Sequence, residues 1–379
     1  MRVDRNVELK WENMLKGIAA QVGWLRSGPA AQFEKARLEL PQEPPSRIYL
    51  IGCGDSHYCG LATRLAFERW TGIPTEALES LEFSRYAVDH APAGSWAVCV
   101  SNSGRVTRTV EAAMFARRRG IVPIALTYDR KSLLAQNSEV TLDFGYEDVG
   151  FGPGTLSYMA SLTGLYAVAV RAAELANTLT HQAADRQVAA IAAEADAVDA
   201  TLESSRPVAT QLGESVPAGA PVHIIGGGPN YGTALFGMAK FIEAAAVPAV
   251  GQELEEWAHE QYFCTRPGTY TVVIAPPGAA TDRAREQLRA VRDVGGTAIA
   301  ICASDDSETS TLADHVLPVA GSSDEAVSPI AYCAPLELFA YHFAVNKGAT
   351  MLGFDDANRM EVNFRQIFGS HIPAENRRS

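Results

Sequence analysis

The sequence predicts two tandem three-layer α/β/α sandwiches with parallel sheets. Its 379 residues suffice for two domains of ordinary size, each with a full core. Short, nearly continuous apolar runs alternate with helical periodicity, the pattern of strands covered by helices on both faces. The unit at 47–61, an apolar run followed by a Gly-rich turn and a helix start, returns at 221–231. The expected organisation is a helical lead-in over 1–40, a first α/β domain over 41–175, a helical connector over 176–212, and a second α/β domain with a C-terminal tail over 213–379.

Residues 1–40 read as helical because Trp11, Met14, Ile18 and Val22 fall at helical spacing. Pro41, Pro44 and Pro45 make the next few residues a linker. The first strand then runs into Gly52-Cys53-Gly54-Asp55-Ser56. Such a turn presents backbone N–H groups and a hydroxyl to an anion at a helix N-terminus. Taken alone, it equally fits a tight βα turn or a dinucleotide site. The strand at 96–101 leads into Ser101-Asn102-Ser103-Gly104, with Thr107 just beyond. Hydroxyls and amides so placed can cradle a phosphate without a metal. Arg105 and Arg108 would either add charge there or be solvated first-turn residues.

Further strands are expected at 120–130 and 140–145. A Pro-Gly entry with Thr155 then opens a long apolar helix. The Ala-rich stretch from about 172 to 210 keeps helical periodicity and reads as one or two amphipathic helices. In the second domain, strands are expected at 269–278, 296–304 and 314–321, with a helix at 284–294. Pro276-Pro277-Gly278 stands where the first domain has its hydroxyl-rich loop, so the phosphate pocket is expected in the first domain.

Composition excludes several classes. Hydrophobic residues make up 47% and charged residues 20%, which is globular and not disordered. A net charge of −12 disfavours nucleic acid and anionic membrane as partners, so an anionic substrate must be held by local donors. The six cysteines show no C-x-x-C pair, which implies buried free thiols in a reducing cytoplasm and no structural metal or disulfide framework. The N-terminus has no apolar signal-peptide core, and no run is long enough for a membrane span.

The chemistry is expected in residues 234–263. Leu235, Met238 and Ile242 place an apolar stripe on a helix, with Lys240 and Glu243 near one another on its surface. Pro248 and Gly251 break the helix. Glu253, Glu255 and Glu256 follow, then Trp257-Ala258-His259. A carboxylate base and an acid near neutrality are what proton transfer between two carbons needs. A Lys-Glu pair at this spacing is equally what a solvated helix face carries, and a lone His is often structural.

These residues resemble the second sugar isomerase (SIS) domain in the isomerase half of glucosamine-6-phosphate synthase. There the helix reads roughly G-A-L-K-L-K-E and is followed by E-L-K-H-G-P. Here Gly237-Met238-Ala239-Lys240-Phe241-Ile242-Glu243 takes the helix position and Glu256-Trp257-Ala258-His259 the E-L-K-H position. The resemblance extends over about 14–363. Gly54 and Ser56 match G-x-G-x-S, and Ser101, Ser103 and Gly104 match S-x-S-G-x-T, with Val106 at the threonine position and Thr107 beside it. Thr155 matches one position of G-V-A-S-T-K, where Gly154 and Leu156 replace Ser and Lys. Met14, Ile18 and Gln21 match the lead-in, with Gly17 in place of Glu. Other departures are Phe236 for Glu, Glu260-Gln261 for Gly-Pro, and Asn363 at the Schiff-base lysine of the tail, where Asp356 and Arg359 match.

The resemblance implies a double-SIS-domain phosphosugar enzyme without metal or organic cofactor. Glu243 would be the base for C1–C2 transfer, His259 would open the sugar ring, and Lys240 would assist. Gly54, Ser56, Ser101, Asn102, Ser103, Gly104, Thr107 and Thr155 would bind the substrate and its phosphate. No glutaminase domain precedes residue 14, so the expected reaction is isomerisation with or without amine release. That resembles stand-alone amino-sugar phosphate deaminases and fructoselysine phosphate deglycases. Pure aldose–ketose isomerisation and a non-catalytic sugar-phosphate sensor are the alternatives. The resemblance also implies a homodimer or dimer of dimers, with His259 reaching the neighbouring subunit; the charged loop from Gly251 to His259 reads either as a docking arm with Trp257 as its apolar anchor or as a surface loop whose Trp257 packs on its own domain.

Overall fold

The computed structural model describes residues 10–321 and 324–374. The start of the expected lead-in and the last five residues of the expected second domain lie outside the described residues. Among the described residues, ten strands form two five-stranded parallel sheets. The first domain holds β1 (Ile48–Gly52), β2 (Thr75–Glu79), β3 (Trp96–Val100), β4 (Val122–Thr127) and β5 (Val140–Asp143). The second holds β6 (Val222–Gly226), β7 (Val250–Glu253), β8 (Tyr270–Ala275), β9 (Thr297–Ala303) and β10 (His315–Val319). The sheet orders are β2-β1-β3-β4-β5 and β7-β6-β8-β9-β10, so the two domains share one topology. Helices flank both faces of each sheet, as expected of two SIS-type sandwiches.

The interior strands β1, β3 and β6 are buried along their whole length. Two edge strands escape the sequence reading. β2 (TEALE) and β7 (VGQE) are polar and half-open, so they lack the apolar run that marks a covered strand. β7 corrects the expectation of an irregular loop from Gly251, as does the short helix Glu256–His259 that follows it.

Helix Trp11–Glu39 packs against the long helices Leu156–Leu175 and His181–Ser215. The expected connector is therefore one helix of 35 residues. Two shorter helices, Asp55–Thr71 and Pro229–Ala245, occupy equivalent places in the two domains and pack on each other. Gly232 permits this approach, since a Cβ there would lie 2.5 Å from the Tyr58 carbonyl oxygen.

That contact reverses one expectation. Leu235, Met238 and Ile242 form the more open face of helix Pro229–Ala245, with Ile242 42% exposed. The buried face carries Phe236, Lys240 and Phe241. The helix is covered by β6, by helix Asp55–Thr71 of the other domain and by helix Ala334–Asn346, and these neighbours decide which side is inside. Lys240, expected on the surface, is fully buried.

Trp257 is also fully buried, packed with Ile225, Leu254 and Leu288 of its own domain. It is not an anchor for a neighbouring subunit. The most exposed aromatic nearby is Phe263, at 78%. Of the cysteines, Cys264 is exposed and Cys53 half-buried, against the expectation of buried thiols throughout. Among the described residues, no helix is long and apolar enough to cross a membrane.

Candidate active site

The Gly-rich turns of both domains share one backbone geometry. Gly54 (φ +56°) and Gly228 (φ +54°) each precede the first residue of a helix. In the first domain this turn follows β1 and the Ser101–Gly104 loop follows β3. β1 and β3 are neighbours whose outgoing connections diverge, which is where open parallel sheets leave a crevice for ligands.

Within the second loop, Gly104 has φ +58°, and a Cβ there would lie 2.1 Å from Ser132 Oγ. Gly104→Ala is therefore expected to destabilise the protein by about 2 kcal/mol or more, read as a lower urea midpoint at unchanged slope. An unchanged midpoint would show that the loop relaxes freely. The Ser101 backbone N–H donates to the Leu126 carbonyl, and the Gly104 N–H donates back to Ser101. Ser101 Oγ is buried and has no hydrogen-bond partner among the described residues. Asn102 is exposed and accepts at Oδ1 from Tyr146 Oη at 2.7 Å. Ser103 is half-buried, and its Oγ accepts from the Arg105 N–H. Thr107 is the buried first residue of helix Thr107–Arg118. Ser56 is half-buried in the first turn after Gly54.

Arg105 and Arg108 are engaged elsewhere. The Arg105 guanidinium lies over the Phe368 ring at 5.3 Å. Arg108 pairs with Glu111 and donates to Ser370 Oγ and the His371 carbonyl. Both thus hold the tail, whose helix Ala357–Phe368 is capped by Asp356 accepting from the Asn358 and Arg359 N–H groups. Asn363 lies on that helix, half-buried.

The second domain brings Lys240 to the first domain's Gly-rich turn. The ammonium donates to Asp55 Oδ2 at 2.7 Å, to Glu243 Oε2 at 2.5 Å and to the Gly154 carbonyl at 3.0 Å. Below it the Phe236 ring lies 4.9 Å away, stacked on Tyr158 with centroids 3.7 Å apart. The departure at Phe236 thus supplies an aromatic face beneath the ammonium. Burial alone would lower the Lys240 pKa, but Asp55 and then Glu243 hold it above the ordinary lysine value. The Glu243 carboxyl is pushed up to about 7, chiefly by desolvation, with Lys240 opposing and Asp55 adding to the rise. Its side chain nevertheless keeps 30% of its surface open.

Asp55 is the residue that sequence reasoning missed. Its position inside G-x-G-x-S was the available signal, but its partner lies 185 residues away. Gly154, Thr155, Ser157, Asn102, Tyr146 and Asn13 line a cleft of about 270 Å³. Thr155 is itself buried at the start of helix Leu156–Leu175. His259 stands apart. Its ring is 68% exposed and lies 3.4 Å from the Glu255 carboxylate. Among the described residues no hydrogen bond or ion pair joins it to Lys240, Glu243 or Asp55. No three His, Cys, Asp or Glu side chains converge as metal ligands among the described residues.

The family described as SIS domain matches this chain twice, over residues 43–171 and 221–347. Among curated proteins, glutamine–fructose-6-phosphate aminotransferase [isomerizing] from Gloeobacter violaceus is 28% identical over 343 residues, covering 88% of this chain and 56% of that protein. The chain spans about half the length of the curated relatives it matches. Among solved structures, the C-terminal domain of glucosamine-fructose-6-phosphate aminotransferase from Francisella tularensis superposes with a TM-score of 0.78 at 21% identity, covering 89% of this chain and 97% of that one. Glucosamine-6-phosphate deaminase from Thermotoga maritima gives a TM-score of 0.66 at 19% identity, covering 89% and 96%. At these identities the solved structures bear on the fold.

Proposed function

This chain belongs to the SIS domain family, and on that premise we propose that it processes a phosphorylated sugar by C1–C2 enolisation, with or without release of an amine. One observation carries the reading. The Lys240–Glu243 pair of the second domain is hydrogen-bonded to Asp55, inside the Gly-rich turn of the first. A proton acceptor pushed toward neutrality is therefore tied, through Lys240, to the Gly-rich turn of the first domain.

The roles follow from that arrangement. Amides and hydroxyls around Gly54, Ser56, Ser101 and Ser103 take the phosphate, Ser101 Oγ having no hydrogen-bond partner among the described residues. Glu243 removes the C2 proton of the open-chain aldose and delivers it to C1, giving the ketose through an enediol. With nitrogen at C2, the intermediate is an enolamine. Protonation at C1 converts it to an imine at C2, and water hydrolyses that imine to the ketone and free amine. No metal or cofactor enters these steps.

We further propose that His259, exposed and neither hydrogen-bonded nor ion-paired to Glu243 within one chain, opens the sugar ring in the site of a second copy. The reading is thus a homodimer with composite sites, and exposed Phe263, with Tyr262 beside it, offers an aromatic group near His259 for its interface.

The test is incubation in D₂O with a panel of aldose, ketose and amino-sugar phosphates. An accepted substrate is expected to gain deuterium at C1 or C2, and the nitrogen-bearing members to release ammonia or amine. Exchange without nitrogen release on any member favours the pure isomerase. Tight binding without exchange on every member would overturn the enzyme reading in favour of a sensor.

A further inference from the structure

We propose that Asp55 is the positioning residue of this site: the first domain uses its carboxylate to hold Lys240 and, through Lys240, to set Glu243. This rests on Glu243 being the base in the reading above. An ammonium has three N–H donors, and Lys240 spends all of them, on Asp55 Oδ2, Glu243 Oε2 and the Gly154 carbonyl. Two of the three acceptors come from the first domain. A fully buried ammonium is tolerated only when paired and hydrogen-bonded, so the second domain's lysine depends on the first domain's carboxylate.

The local backbone is shaped for this contact. Asp55 opens helix Asp55–Thr71, where the dipole favours a carboxylate. A Cβ at residue 154 would lie 3.1 Å from Asp55 Oδ2 and 2.9 Å from Ser157 Oγ. The glycine leaves room for its own carbonyl and the Asp55 carboxylate to reach the same ammonium. Asp55 and Gly154 therefore work as one clamp.

Charged and titratable groups meet here from four elements, one of them helix Leu156–Leu175, whose Tyr158 is pushed upward by burial. Helix Pro229–Ala245 supplies Lys240 and Glu243. Helix Asp55–Thr71 supplies Asp55, Tyr58 and Cys59, the last two pushed upward by burial, Tyr58 to about 12. Helix Ala334–Asn346 supplies Glu337, raised by burial to about 8 while it accepts from Gln21 Nε2 at 2.8 and 2.7 Å. Burial thus favours the neutral forms of Tyr58, Cys59 and Glu337, whereas Asp55 and Glu243 share one ammonium and Asp55 adds to the upward push on Glu243.

Asp55→Asn keeps the shape and removes that competitor. Glu243 then loses a repelling neighbour and keeps its attraction to Lys240, so its titration midpoint falls. The measurement is carboxyl ¹³C NMR of the full chain, with Glu243 identified by its absence in Glu243→Gln. A fall of about one pH unit or more is expected in Asp55→Asn. Asp55→Glu, which retains the charge, should restore much of the wild-type midpoint. Asp55→Ser, smaller and also uncharged, serves the same purpose if the Asn variant does not fold.

A midpoint unmoved in a folded Asn or Ser variant overturns the proposal, as does an equal shift in the Glu variant. A purely structural role would lower melting temperature without moving it. If the midpoint falls while the acid limb of kcat/KM stays in place, Asp55 does position Glu243, and the assignment of Glu243 as base is what fails.

Discussion

Replacing Glu243 by Gln is expected to lower kcat by about 10²–10⁴-fold while leaving sugar-phosphate binding nearly intact. The amide oxygen can still accept from Lys240, and Asp55 and Gly154 keep their own contacts with the ammonium. What is lost is the capacity to take a proton. Binding should be read by calorimetry and turnover by deuterium exchange, because the two readouts separate the base from the phosphate loops. A variant retaining more than about a tenth of the wild-type rate would remove Glu243 from the base role, since such a residue supplies at least about a hundredfold.

The pH profile carries the same assignment. Glu243 must be ionised to act, and its carboxyl sits at about 7. The wild-type kcat/KM is thus expected to rise with pH through about 7 and to fall about tenfold per unit below it. An acid limb near the ordinary glutamate range would contradict a desolvated base.

Mixing Glu243→Gln chains with His259→Ala chains is expected to restore activity to two dead variants. If each site takes Glu243 from one chain and His259 from the other, every mixed dimer holds one site with both residues intact. With free exchange, random pairing makes about half of the dimers mixed, so about a quarter of wild-type activity returns. Recovery should follow subunit exchange in time, as monitored by mass spectrometry of differently labelled chains. Variants that stay inactive after proven exchange would confine the site to a single chain. Phe263→Ser, which alters an exposed residue, provides a parallel probe of the interface.

Much of the fold was legible along the chain. Interior strands such as IYLIG and VHIIG announce themselves because a strand covered on both faces must be apolar at every position. The repeat of strand, Gly-rich turn and helix is likewise local, and its two glycines adopt the same positive φ. The candidate phosphate loops could be located because their donors lie within a few consecutive residues. Edge strands β2 and β7 were not legible, since TEALE and VGQE lack the apolar run that the other two edge strands, VTLD and HVLPV, keep.

By itself, then, the sequence determined two parallel α/β units, the loops that follow their first strands, and the residue types offered for proton transfer. The tertiary structure decided which face of helix Pro229–Ala245 is inside, that Lys240 is buried against Asp55, and that Trp257 packs on its own domain. Periodicity reports only which side chains share one face of one element. The element that covers that face comes from a distant part of the chain, and its packing determines whether a lysine meets water or a carboxylate.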